Sequence, residues 1–135
     1  VRLPQVAGVS PNPHTLLNHI FNKIKNGEPI SIWKNSTRNI IDVKDVRKIV
    51  LSIVRDVPFD DIPNVVNVAN TNAVSILKLI DAFESALGII AKRNILDAGD
   101  QIQVNVDWIQ PILSAAGISF GSDYIENMIR DYYAE

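Results

Sequence analysis

The sequence contains no cysteine, which excludes disulfide bridges, thiolate metal sites and a cysteine nucleophile. It has no excess of basic residues either, since its formal net charge is −2. A surface that grips nucleic acid needs a clustered basic excess, so we expect no nucleic-acid partner. No apolar run approaches the roughly 20 residues that span a bilayer, so we expect no membrane association and a cytoplasmic location.

Motifs that bind dinucleotides or perform catalysis are also missing. Neither Gly-x-Gly-x-x-Gly nor a Walker-type loop is present, although a dinucleotide pyrophosphate needs such a turn for close approach to backbone amides. No serine lies in a nucleophile elbow. The two histidines, His14 and His19, are five residues apart, which on a helix places them about 140° apart. The sequence therefore predicts no metal site and no catalytic constellation.

The size and composition of the chain fit one domain. The chain has 135 residues, of which 47% are hydrophobic and 21% are charged, as in ordinary globular proteins. It opens with the apolar-rich segment 1–4, which has no initiator methionine and no polar lead-in. We therefore interpret residues 1–135 as a single domain that is a fragment of a longer protein.

The apolar pattern alternates between helical and strand-like periods. It predicts helices over 14–25, 45–55, 74–87, 108–115 and from about 122, and strands over 1–3, 29–33, 39–43, 64–69, 89–96 and 101–106. We expect Asp45 to cap the second helix and Gly88 to end the third. The fold class is α/β, in an α+β arrangement of a small sheet layered with helices. Because strong strands are too few for a complete doubly wound sheet, we expect this lobe to pack against another domain.

Several segments match one enzyme superfamily in their order and spacing. Residues 27–33 read Gly-Glu-Pro-Ile-Ser-Ile-Trp, and residues 37–46 read Thr-Arg-Asn-Ile-Ile-Asp-Val-Lys-Asp-Val. The first resembles a Gly-x-Pro-Ile strand, and the second an Arg-Asp-aromatic-Ile-x-Val-x-Asp-Val segment. Residues 2–8, 67–69, 74–76 and 99–100 add weaker matches. Together they resemble the C-terminal substrate-binding part of extended short-chain dehydrogenases/reductases, which include UDP-galactose 4-epimerases and dTDP-glucose 4,6-dehydratases.

The resemblance implies two polar contacts to a nucleotide sugar. Arg38 matches the family arginine that contacts the pyrophosphate, and a guanidinium suits forked hydrogen bonds to phosphate oxygens. Arg38 could instead be a surface residue or an ion-pair partner of Asp42 or Asp45. Gln5 matches a family asparagine that reaches the sugar nucleotide, since an amide offers both donors and an acceptor. An ordinary loop role is the alternative for Gln5.

The resemblance also implies that the base lies against the strand at residues 29–33. Ile30, Ser31, Ile32 and Trp33 match that strand, where apolar walls and backbone groups hold the base. Ile30 and Ile32 could equally be core residues of the strand. Trp33 could stack on the base or could cover an interface.

Three positions depart from the family pattern. Asn39 replaces the usual aspartate after the arginine, and Asp42 stands where an aromatic residue or histidine is common. Asp97 occupies the place where many epimerases have a second phosphate-binding arginine, and a carboxylate there would repel a diphosphate. Lys34, Lys92 or Arg93 could compensate. These differences favour a divergent enzyme over a strict UDP-galactose epimerase or dTDP-glucose dehydratase.

The resemblance implies that catalysis belongs to a missing N-terminal Rossmann half. There a tyrosine and a lysine act on the sugar while NAD(P) exchanges hydride with it. Tyr124, Tyr132 and Tyr133 have no lysine four residues later, so we expect no catalytic residue and no cofactor in this fragment. Its expected role is to bind the nucleotide sugar of an epimerase, dehydratase or reductase, in the context of polysaccharide biosynthesis. A homodimer, and a non-catalytic binding or regulatory module that retains the fold, remain open.

Overall fold

The architecture described here is that of a computed structural model, and it covers residues 1–134. Helices and short strands alternate along the chain. The strands are β1 (Gln5–Ala7), β2 (Pro29–Trp33), β3 (Thr37–Asp42), β4 (Ala73–Ser75) and β5 (Lys92–Leu96), and the α-helices are α1 (Leu16–Lys25), α2 (Val43–Asp56), α3 (Ile76–Leu87), α4 (Gln110–Ala115) and α5 (Tyr124–Tyr133). Two short 3-10 helices span Phe59–Asp61 and Asp107–Ile109. The predicted α/β class is confirmed.

The strands form two small sheets. In the first, β3 lies in the centre, parallel to β1 and antiparallel to β4. In the second, β2 and β5 are parallel, with Pro29 opposite Lys92 and Trp33 opposite Leu96. Short strands of this kind need helices on their faces to be stable, and the helices supply that cover.

Strand β3 separates two hydrophobic cores because successive side chains of a strand point to opposite faces. Ile40 is fully buried in the core that α1, α3 and α5 share, whereas Ile41 is fully buried in the core that α2 and α4 share. Arg38 and Ile40 are two residues apart, so both point to the α1 side of the strand. Asn39 and Ile41 point to the other side. The alternation thus directs the Arg38 side chain toward α1.

Side-chain caps fix where the helices begin. Thr15 accepts the backbone N–H of Asn18 at 3.4 Å before α1, and Ser75 accepts that of Lys78 at 3.1 Å before α3. Asp42 caps α2 by accepting the N–H of Lys44 at 2.7 Å. The prediction that Asp45 caps this helix is therefore wrong, because Asp45 already lies in its first turn. Gly88 ends α3 with a φ of 67°, as the sequence predicts.

Three predicted strands are absent from the described residues. Residues 1–3 and 64–69 contribute only one parallel bridge, between Arg2 and Asn67, although Val66 and Val68 are buried. Residues 101–106 alternate as a strand would but pair with no strand. The apolar pattern of residues 45–55 also predicts an inward Val54, which is wrong, since Val54 is 75% exposed on the outer face of α2. Among residues 1–134, no helix combines the length and the apolar character that crossing a bilayer requires.

Candidate functional site

Arg38 opens into a cleft of about 480 Å³ between α1, β2 and the start of β3. We call it the arginine cleft. Its walls include Ile30, Ser31 and Trp33 from β2, and His19 and Lys23 from α1. Four of the six residues that the family resemblance selects, Arg38 among them, therefore line one concave surface. Apolar walls with a few convergent polar groups are typical of ligand sites.

The Arg38 guanidinium is half-buried and has little to bind within the chain. Its Nη1 donates to the carbonyl oxygen of Thr37 at 2.8 Å, and no ion pair is seen for it within residues 1–134. Asp42 instead accepts the hydroxyl of Tyr132 at 2.8 Å. Asp45 accepts the hydroxyl of Tyr124 at 2.8 Å. The remaining guanidinium donors are thus available to an anion in the arginine cleft.

Strand β2 divides its residues between core and cleft. Ile30 is mostly buried but still lines the arginine cleft, whereas Ile32 is completely buried and lines no cleft. Ile32 is therefore a core residue in this structure. Ser31 and Trp33 point outward, and Trp33 is 52% exposed at the end of the strand. The indole is placed where a planar ligand group can stack on it.

Gln5 lies in a neighbouring cleft of about 510 Å³, which we call the glutamine cleft. Pro4 and Val6 from the β1 region line it, together with His14. Leu16 and His19 line both clefts, so the two are adjacent along α1. The structure thus places Gln5 beside the Arg38 site but not in the same cleft.

Asp97 does not line either cleft. Its carboxylate accepts Nδ2 of Asn35 at 3.0 Å and pairs with Nζ of Lys34 at 3.2 Å. The expected repulsion of a diphosphate is therefore reduced by a cation that is already beside the carboxylate. Because Lys34 is paired with Asp97, it does not provide a free second cation.

Arg93 is also unavailable as a compensating cation. Its Nη2 contacts Asp81 at 2.5 Å and Glu84 at 2.7 Å on α3. The hydrogen bonds that Arg93 donates, first to Glu84 and then to Asp81, raise the pKa of its guanidinium above the ordinary value. These contacts attach β5 to α3.

Sequence reasoning missed the residues that α1 adds to the two clefts. Lys23 lines the arginine cleft and bonds Glu28 at 2.8 Å. That hydrogen bond, followed by one from Asn26, lowers the pKa of the exposed Glu28 carboxyl. The sequence pattern predicts His14 inside the helix, on a different face from His19, and this prediction is wrong. Because α1 begins at Leu16, His14 lies in the preceding loop and lines the same cleft as His19.

The three tyrosines of α5 are engaged in packing contacts. The Tyr124 hydroxyl accepts the backbone N–H of Asp42 and donates to Asp45, while Tyr133 donates to Oδ1 of Asn18 at 2.7 Å. Burial raises the pKa of Tyr124 and of Tyr132 well above the ordinary value. A phenol held in this way is a poor proton donor near neutral pH.

Within residues 1–134, no cluster of three or more metal-binding side chains is present. The arrangement is suited to binding an anion beside an aromatic ring.

Of the comparisons with known proteins, the one with solved structures gives matches to this chain. No protein-family model and no curated protein matches the chain. UDP-glucuronic acid 4-epimerase from Bacillus cereus, solved with UDP-glucuronic acid and NAD, superimposes with a TM-score of 0.76 at 19% identity. The match covers 98% of this chain and 43% of the epimerase.

Two further solved structures superimpose on nearly all of this chain over less than half of their own length. dTDP-glucose 4,6-dehydratase from Bacillus anthracis, in complex with NAD, has a TM-score of 0.72 at 11% identity, over 96% of this chain and 42% of that one. MoeE5, in complex with UDP-glucose and NAD, has a TM-score of 0.69 at 18% identity, over 96% of this chain and 44% of that one. This chain spans less than half the length of each structure. It has the fold of the C-terminal portion of these epimerase and dehydratase chains.

Proposed function

We propose that this chain binds the nucleotide-sugar substrate of an NAD(P)-dependent epimerase, dehydratase or reductase, and that it has no turnover by itself. The observation that carries the proposal is the Arg38 guanidinium, which lines the arginine cleft with no carboxylate partner among residues 1–134. A guanidinium in that position forms forked, charge-assisted hydrogen bonds with the oxygens of a diphosphate. The neighbouring Trp33 ring then covers the base.

The chemistry of such an enzyme is proposed to reside in a second lobe of a longer protein. NAD(P) in that Rossmann lobe supplies hydride transfer when bound, and a tyrosine and a lysine there move the proton. This chain contributes binding energy remote from the reacting carbon, which aligns the sugar with the nicotinamide. A role in cytoplasmic polysaccharide biosynthesis, and assembly of the whole enzyme as a homodimer, are part of the same proposal.

One observation favours a second candidate, a non-catalytic binding or regulatory module that retains the fold. Asp97 stands where the family resemblance leads us to expect a second phosphate-binding arginine, and its partners are Lys34 and Asn35. A site with one free arginine holds a diphosphate more weakly than a site with two. The sequence of the parent protein separates the candidates: an upstream glycine-rich strand-turn-helix and a Tyr-x-x-x-Lys motif support the enzyme, and their absence supports the module.

Calorimetric titration of this chain tests the proposed binding. We expect weak binding of at least one of UDP-glucose, dTDP-glucose and GDP-mannose, and no tight binding of NADH. Arg38→Gln should weaken that binding about ten-fold or more, because a charge-assisted hydrogen bond contributes roughly 1.5–3 kcal/mol.

A matched control removes a different arginine. Arg47 is exposed on α2 and lines neither cleft, so Arg47→Gln makes the same charge change at a distance and should leave affinity unchanged. Equal losses from both variants would indicate a general charge effect and contradict a site at Arg38. Thermal melts of both variants check that each is folded.

A further inference from the structure

The only two histidines of the chain line the same cleft. His14 lies in the loop before α1, His19 lies one turn into α1, and both line the glutamine cleft. His19 also lines the arginine cleft, so the cleft of Gln5 and the cleft of Arg38 share it. Both histidines are exposed, and within residues 1–134 neither imidazole makes a hydrogen bond or a salt bridge. The two rings are thus free to contact a ligand.

The charges that surround these imidazoles are mostly positive. Arg38 from β3 and Lys23 from α1 line the arginine cleft, while β1, β2 and α3 contribute only uncharged residues to the two clefts. The acidic group on which the charge of His19 acts is Glu28, which is bonded to Lys23 and Asn26. Its pKa is lowered first by those hydrogen bonds and least by the charge of His19. His19 itself lines the arginine cleft, so a positive charge on its ring acts directly on an anion bound there.

We infer that His14 and His19, in their protonated form, add positive charge at the diphosphate of a nucleotide sugar held by Arg38. This inference rests on the proposed function. It assigns to the two imidazoles the positive charge that a second phosphate-binding arginine would supply, since Asp97 stands at the position where the resemblance predicts that arginine. Histidine is the side chain whose charge ordinarily changes between about pH 5 and pH 8. An anion binds a protonated imidazole better than a neutral one, so affinity should rise as the pH falls through that range, with uptake of protons from the buffer.

The experiment uses UDP-glucose because its diphosphate is a diester whose charge is constant over this pH range. At low ionic strength we expect about five-fold tighter binding at about pH 5.5 than at about pH 8, from the attraction of partly solvated charges. Calorimetry near pH 6.5 in two buffers of different ionisation enthalpy should detect the proton uptake. The double variant His14→Gln with His19→Gln should bind UDP-glucose with the same affinity at about pH 5.5 as at about pH 8, and should show no proton uptake.

The possible results separate this inference from the proposed function. If wild-type binding depends on Arg38 but not on pH, or if the double variant retains the full pH dependence, the histidine role is wrong and the proposed function survives. If none of UDP-glucose, dTDP-glucose and GDP-mannose binds at either pH, the proposed function is wrong and this inference with it. Uridine, which carries no phosphate, is the control and should show no pH dependence.

Discussion

The side chain of Asn39 and the backbone of Asn70 exchange two hydrogen bonds. Nδ2 of Asn39 donates to the Asn70 carbonyl oxygen at 2.7 Å, and the Asn70 N–H donates to Oδ1 of Asn39 at 3.0 Å. Both residues are buried, so each group needs its partner. An amide can donate and accept at the same time, whereas an aspartate carboxylate can only accept. The pair holds the loop before β4 against β3, next to Arg38.

We predict that Asn39→Asp destabilises the fold. The carboxylate cannot donate to the Asn70 carbonyl oxygen and instead places two acceptors in contact in a buried site. The expected cost is about 1–3 kcal/mol in the free energy of unfolding, measured by urea denaturation at neutral pH. Asn94→Asp, the same change at an exposed position of β5, is the control and should cost less than about 0.5 kcal/mol. Equal losses of stability at positions 39 and 94 would contradict the paired hydrogen bonds between Asn39 and Asn70.

Gly99 offers a second test, in the segment that contacts the loop before β3. Its φ is 106°, and a Cβ atom there would lie 2.1 Å from Oγ and 2.9 Å from the backbone nitrogen of the buried Ser36. Gly99→Ala should lower the free energy of unfolding by about 2 kcal/mol or more, from backbone strain and overpacking together. Gly117→Ala has a similar strained backbone but open space around it, so its smaller loss measures strain alone. Indistinguishable losses would mean that the Ser36 contact is unimportant.

The half-buried tyrosines of α5 predict a loss of stability at alkaline pH. Burial raises the pKa of Tyr124 and Tyr132 in the folded chain above the unfolded value near 10. The folded chain thus keeps a proton that the unfolded chain releases, so stability is fully present below about pH 10 and falls as the pH rises further. Denaturation curves between pH 8 and pH 11 should show this fall, by up to about 1.4 kcal/mol per pH unit for each tyrosine.

Lysines also titrate in that range, so a variant is needed to assign the effect. Tyr132→Phe removes one of the two phenols together with its hydrogen bond to Asp42. The variant should be less stable than the wild type near pH 8, and the difference should narrow as the pH rises above 10. A difference that is constant with pH would show that Tyr132 contributes nothing to the alkaline loss.

Trp33 is predicted to hold the base of the ligand. Trp33→Ala should weaken UDP-glucose binding about ten-fold, because stacking of a base on an aromatic ring contributes roughly 1–3 kcal/mol. Glucose 1-phosphate lacks a base, so its much weaker binding should not change. If the variant binds UDP-glucose as the wild type does, the exposed indole serves another purpose, such as covering an interface.

The sequence predicts those elements whose signals are local. Alternation defines Pro29–Trp33 at both ends, and Gly88 ends α3 as predicted, although the helix begins at Ile76, after its Ser75 cap, and not at residue 74. The predictions that are wrong depend on contacts between segments that are distant in the sequence. Residues 101–106 have a strand pattern, but the N–H of Ile102 donates to Oγ1 of Thr37, so this segment pairs with a side chain and not with a strand.

The candidate site was predictable to a similar degree. The motif around Arg38 indicates the guanidinium and the adjacent strand, because their spacing lies within one continuous segment. It cannot indicate His14, whose place in the cleft depends on where α1 begins. The Thr15 cap decides that, and a helix placed two residues too early puts the two imidazoles on different faces.

Contact between the Arg38 guanidinium and a diphosphate is measured most directly by the NMR resonance of the Arg38 Nε–H group during titration with UDP-glucose. We predict that this resonance shifts in proportion to saturation, together with the backbone amides of Ser31 and Trp33. An Arg38 resonance that stays in place at saturation, while residues outside both clefts shift, would contradict nucleotide-sugar binding in the arginine cleft.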